Sequence, residues 1–120
     1  MTDGMKERAQ DLGRLLGQSD EYKALGRARQ RLTDDGEAVT AMRRLDELER
    51  EIAAALHNGQ EPGEAVKEEY ERVFGTLQSS PLYQGLVAAQ SNFDKLLARV
   101  NEEISRGMEQ GAQSRIILPS

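Results

Sequence analysis

Six residues, Leu16, Ser19, Tyr22, Leu25, Ala28 and Leu32, recur 61 positions later as Leu77, Ser80, Tyr83, Leu86, Ala89 and Phe93. Each copy sets a Ser where a helix N-cap belongs and a Tyr three residues on. Apolar or small residues then follow at spacings of three and four, the stripe of an amphipathic helix. A chain that opens a helix twice in the same words is constrained to two similar helical halves. No stretch shows the period-two alternation of a strand, so the fold class is all-α.

Helical periodicity marks five segments in all. Ala9, Leu12, Leu15 and Leu16 predict a first helix over 3–17 ending at Gly17. The second follows the Ser19 cap, with Asp20 and Glu21 at the positive end of its dipole, and stops near Asp34-Asp35-Gly36. The third has the cleanest seam, Ala38, Ala41, Leu45, Leu48, Ile52 and Ala55, alternating steps of three and four as a coiled coil does. His57 through Gly63 read as the tip of a helical hairpin, with Pro62 close to a first-turn position that needs no amide hydrogen. Val66, Tyr70, Val73, Phe74 and Leu77 mark the fourth helix. Ser80-Pro81 starts the last, whose stripe of Leu86, Ala89, Phe93, Leu96 or Leu97, Val100, Ile104 and Met108 runs to about Gly107–Gly111. These segments predict about five helices in antiparallel hairpins, a single helical-bundle domain over 1–111 and a C-terminal tail over 112–120. The tail carries Ile116-Ile117-Leu118, an apolar patch read as too short for a helix and as docking on another surface. Gly13, Gly26, Gly75 and Gly85 lie inside helices, either as close-approach points or as tolerated exposed residues.

Only 38% of the 120 residues are hydrophobic and 4% aromatic, against 31% charged. Such a chain makes thin helices with wide polar faces, and burial is expected to be completed by homo-oligomerisation. The net charge of −5, with acids and bases interspersed, argues against general affinity for nucleic acid. With no Cys, disulfides, thiol nucleophiles and thiolate-held metals or clusters are excluded. There is neither a signal-like apolar stretch near Met1 nor a run approaching the ~20 residues of a membrane span, so the expectation is a cytoplasmic protein without membrane contact.

Residues able to carry chemistry are few. His57, the one histidine, reads as a solvated loop residue, since the Glu-x-x-His or His-x-x-x-His pairing of a helical metal site is missing. No nucleophile–base pair or phosphate-cradling loop can be assembled, so the expectation is no enzyme, no cofactor and no metal. The interface and core candidates are Leu45, Leu48, Ile52, Tyr22, Tyr83, Phe93, Leu97 and Asn101. Tyr22 and Tyr83 read as core residues that bury the ring and satisfy the hydroxyl. Asn101 either fixes register between partner helices or sits at the margin facing water. Lys23, Arg27 and Arg31 recur every four residues as a basic stripe on the second helix. It reads as ordinary surface charge or, alternatively, as the face of an RNA-binding helical module, although interleaved exposed aromatics are absent.

The chain resembles the YlbF/YmcA (Com_YlbF) family of small helical bacterial regulators. The resemblance spans about Ala9 to Ile104. It rests on Leu12-Gly13 with Leu16, Glu21-Tyr22-Lys23-Ala24-Leu25 with Ala28 and Leu32, Glu37-Ala38, the Gly59 hairpin, and Ala89-Gln90 with Phe93, Leu96-Leu97 and Val100 to Ile104. It implies an all-helical, non-enzymatic regulator that forms homodimers or higher assemblies and acts through protein partners such as a related family member. Members of the family are associated with competence, sporulation and biofilm control, and some join a complex that works with ribonuclease Y in RNA processing. Some members carry iron–sulfur clusters on cysteines; lacking cysteine, this chain does not inherit the cofactor.

Overall fold

The computed structural model describes the backbone of residues 1–117 and the side chains of 1–113. Five helices follow one another: α1 (Asp3–Gly17), α2 (Asp20–Thr33), α3 (Gly36–His57), α4 (Glu64–Gln78) and α5 (Pro81–Ile117). Both bounds of α4 lie 61 residues beyond those of α1, and α5 starts 61 residues beyond α2. The repeat read in the sequence is therefore a repeat of helices. Its caps match as well: Ser19 Oγ accepts from the Tyr22 N–H at 3.1 Å, and Ser80 Oγ from the Tyr83 N–H at 3.4 Å.

After that the two copies diverge, for a local reason. The first copy reaches Thr33-Asp34-Asp35-Gly36, where Asp35 leaves the helix and caps α3 by accepting from the Ala38 N–H at 3.0 Å. The equivalent positions of the second copy are Asp94-Lys95-Leu96-Leu97, which offer neither glycine nor a second cap. The helix runs on through 37 residues, a rod of ~55 Å at 1.5 Å per residue. It passes the expected stop at Gly107–Gly111 and includes Ile116 and Ile117, which the sequence placed outside any helix. The rest of that patch, from Leu118, lies outside the described residues, as do the side chains on which its docking would depend.

The largest helix pairings are α2 with α5 and α3 with α4. Across the first, Tyr22 meets Phe93 edge to face with ring centroids 5.5 Å apart, and Leu32 shares a groove with Leu86, so the helices run antiparallel. Between those contacts Arg29 donates to Gln90 at 3.4 Å. Arg29 and Gln90 are equivalent residues of the two copies, and equivalent residues meet where a twofold axis passes. The two halves thus pack about a local pseudo-twofold.

The hairpin of α3 and α4 turns at Gly59, the one described residue with positive φ (73°). The Gly59 N–H donates to Leu56 O at 3.1 Å and the Gln60 N–H to Ala55 O at 2.9 Å, a Schellman closure whose left-handed residue favours glycine. Pro62 precedes the cap, Gly63, and so stands just outside the first turn of α4.

The core is narrow. Leu25, Leu32, Ala38, Leu48, Leu77 and Ala89 are its buried hydrophobic residues. The radius of gyration is 21.6 Å and the extents are 71 × 38 × 22 Å, where a compact chain of this length has a radius of roughly 14 Å. Beyond Val100 every described side chain of α5 is exposed, and α1 is exposed except at Leu12 and Leu16. Gly13, Gly26, Gly75 and Gly85 are not close-approach points, since a Cβ at each would meet nothing within 4 Å. Changing Gly26 and Gly85 to Ala together is expected to stabilise the chain by about 1 kcal/mol per site in urea unfolding, because only the helix propensity changes.

Candidate protein-interaction faces

The seam expected of α3 is the buried face of the hairpin: Leu48 has no exposed surface, and Leu45 and Ile52 are half-buried. At its edge Arg44 reaches across to α4, donating from Nε and one terminal nitrogen to the two oxygens of Glu69 at 2.6 and 2.7 Å, and to Glu47 on its own helix at 2.9 Å. This fork is the one inter-helix ion pair among the described residues. The guanidinium holds the Glu69 carboxyl below its ordinary range, and the two carboxylates raise Arg44 further above its already high value. A lowered folded pKa means that the pair supports the fold above about pH 4.5, the unfolded value, and loses that support as pH falls through the folded value. In Glu69→Gln this acid-dependent component is expected to disappear, so that the unfolding midpoints of variant and parent, apart near neutrality, converge as pH falls through the lowered folded value of Glu69.

Phe93 and Leu97 are half-buried on α5. Tyr83 is half-buried too, but Tyr22 is 47% exposed, its ring lying edge-on to Phe93 with the other side open. Neither ring is fully buried, and the two copies differ in how much of the ring is covered. The reason lies in the neighbours: α3 folds back beside the Tyr83 end of the α2–α5 pair, where Met42 joins Tyr83 in one groove, whereas α5 runs on straight. Asn101 is exposed.

The Met42–Tyr83 groove is an apolar concavity beside the core. It holds about 760 Å³ and is lined by Met42 from α3 and Tyr83, Leu86 and Val87 from α5, with Arg29 and Lys95 at its edges. Met42 and Val87 are 37% and 51% exposed there. Sequence reading missed Met42 and Val87, because each sits one position off the helical stripe that marks the core. A second cleft, of about 740 Å³, lies between α1 and the distal part of α5, where Leu12, Leu96, Val100 and Ile104 share the lining with the charged side chains of Arg99, Glu102, Glu103 and Arg106.

Lys23, Arg27 and Arg31 are all exposed along α2, and none enters an ion pair among the described residues. His57, the last residue of α3, is exposed, and no cluster of described His, Asp or Glu side chains is arranged to hold a metal. No helix among the described residues is long and apolar enough to cross a membrane.

Residues 5–109 match the family described as "Control of competence regulator ComK, YlbF/YmcA". A UPF0342 protein of Lactobacillus acidophilus is 26% identical over 98 residues, covering 82% of this chain and 84% of the relative. Another UPF0342 protein, from Lactobacillus gasseri, is 19% identical over 100 residues, covering 83% and 86%. The fold is similar to that of a chain in the crystal structure of Bacillus subtilis RicA in complex with RicF. The TM-score is 0.76 at 15% identity, and the match covers 93% of this chain and 99% of that one.

Proposed function

This chain belongs to the Com_YlbF family, and from that premise we propose that it is a non-enzymatic regulator working through contacts with other proteins. The observation that carries the reading is the groove of Met42, Tyr83, Leu86 and Val87, an apolar concavity with charged edges and two openly exposed aliphatic side chains. Burying such surface favours a partner helix, with apolar anchors in the groove and polar groups around them. RicA is found with RicF, and a related helical chain is the partner class this groove suits. The finer reading, drawn from the family, places the protein in cytoplasmic RNA processing or in developmental regulation such as competence, sporulation or biofilm formation.

Affinity purification of the tagged chain from its host, with and without ribonuclease, followed by mass spectrometry, tests this. Recovery of a related helical protein or an endoribonuclease that survives ribonuclease and is lost in Val87→Asp supports the proposal. Recovery of no protein other than the chain itself counts against it.

A second reading is favoured by one observation, the exposed and unpaired row of Lys23, Arg27 and Arg31. If these three cations meet RNA phosphates, the affinity for a single strand falls with salt at a log–log slope of about −2. Arg27→Glu combined with Arg31→Glu then abolishes binding. A chain that shows no retention of RNA at low salt leaves the protein-partner reading alone.

A further inference from the structure

Charge is unevenly divided in this acidic chain. The segment 36–78, which holds the α3–α4 hairpin, has ten acidic residues against five basic ones, whereas α2 has two against four. The groove of Met42, Tyr83, Leu86 and Val87 lies where these two parts meet. From that apolar end it continues along α5 past Gln90 to Ala98, a span of ~22 Å from Tyr83, or about four turns of helix.

Beyond the apolar end the lining turns cationic. Arg29 and Lys95 border this stretch, and neither enters an ion pair among the described residues. The one carboxylate of the lining, Asp94, accepts from Gln90 at 3.0 Å, and Gln90 accepts from Arg29 at 3.4 Å. The lining is therefore net positive in a chain of net charge −5. Along α3 the opposite holds: Asp46 and Glu49, on the side of Met42 at the next two turns, are exposed acids. Toward the Ala98 end Tyr22, two turns before Arg29 on the same side of α2, adds a ring that is 47% exposed.

We propose that this groove takes an acidic amphipathic helix of another protein, its apolar side chains seated between Met42 and Val87 and its carboxylates set against Arg29 and Lys95. The proposal rests on the preceding reading of the groove as a partner site and adds the chemistry of the partner.

Charge complementarity selects this occupant. An acidic helix is drawn to Arg29 and Lys95 and repelled by Asp46 and Glu49, so it lies along α5 toward Ala98 rather than along α3. A basic helix meets the reverse arrangement. A nucleic-acid backbone gains the two cations but leaves the apolar end of the groove in water. A second copy packed groove to groove offers cations to cations or to the apolar end, and neither is complementary.

Fluorescence anisotropy on the purified full chain tests the proposal with two labelled peptides of about 15 residues, held helical by a side-chain staple. Both have Leu at spacings of three and four, flanked by Glu in one and by Lys in the other. The Glu peptide is expected to bind about tenfold more tightly at low salt, a preference that shrinks as salt is raised. Arg29→Glu combined with Lys95→Glu is expected to invert the order. Arg27→Glu, on the opposite side of α2 from Arg29, is expected to keep it, and Val87→Asp to weaken both peptides. Circular dichroism checks that each variant is folded. Equal affinities for the two peptides overturn the acidic partner and leave the groove as a partner site, which separates this proposal from the reading it rests on. Binding of neither peptide, or a preference unchanged by the double substitution or by Val87→Asp, overturns it as well. So does a parent mass in light scattering that drops to one chain in Val87→Asp, since a second copy then fills the groove.

Discussion

Leu48→Asp is expected to abolish the fold. Leu48 has no exposed surface, at the centre of the α3 seam, and Arg44, one turn away at the seam's edge, is already engaged by Glu69 and Glu47. An unpaired charge in such a site costs about 4 kcal/mol or more, against a total stability of about 5–15 kcal/mol for an ordinary domain. With six buried hydrophobic side chains in its core, this chain belongs toward the low end of that range. The measurement is far-ultraviolet circular dichroism with a urea titration, and loss of most helical signal is the expected result. A variant with the parent's midpoint would place the seam in water and overturn the hairpin packing described above.

Leu77→Ala and Leu16→Ala make the same chemical change at equivalent positions of the two copies, yet their expected effects differ several-fold. Leu77 is 1% exposed, so its truncation leaves a cavity and costs about 2–5 kcal/mol. Leu16 is half-buried on a helix that touches the rest of the molecule only near its C-terminal end, so its loss costs about 1 kcal/mol in the isolated chain. Urea midpoints of the two variants at low protein concentration give the comparison. Equal losses would mean that α1 is covered as completely as α4, which would remove the asymmetry on which the open cleft depends.

Much of the architecture was legible because its causes are local. Thr2, Ser19, Asp35 and Ser80 cap helices by bonding to amides three residues ahead, and Pro81 sets the first turn of α5, relations a sequence displays directly. The repeat was legible for the same reason, and it located the shared starts of α2 and α5, whereas the match of α1 with α4 emerged only from the helix bounds of the structure. The end of α5 was misread because Gly107 and Gly111 suggest a terminus, although a glycine inside an exposed helix costs only about 1 kcal/mol and is outweighed by a rod of good helix formers. The site was less legible. Leu48, Leu45 and Ile52 could be found from periodicity, whereas Met42 and Val87 could not, since an exposed apolar residue beside a stripe has no signature until another helix is placed next to it.

By itself the sequence determined five helices in this order, the Ser19 and Ser80 caps, the stripe each helix offers for burial and the repeat shared by the two halves, because caps and spacings of three and four act within a single helix. Only the tertiary structure decided that α2 and α5 cross antiparallel at Arg29 and Gln90, that Arg44 finds Glu69 across the hairpin, that Tyr83 is half-buried while Tyr22 is exposed, and that α1 faces a cleft. Those outcomes depend on which stripes compete for the same neighbour, and that competition is settled by the packing of residues far apart in the chain.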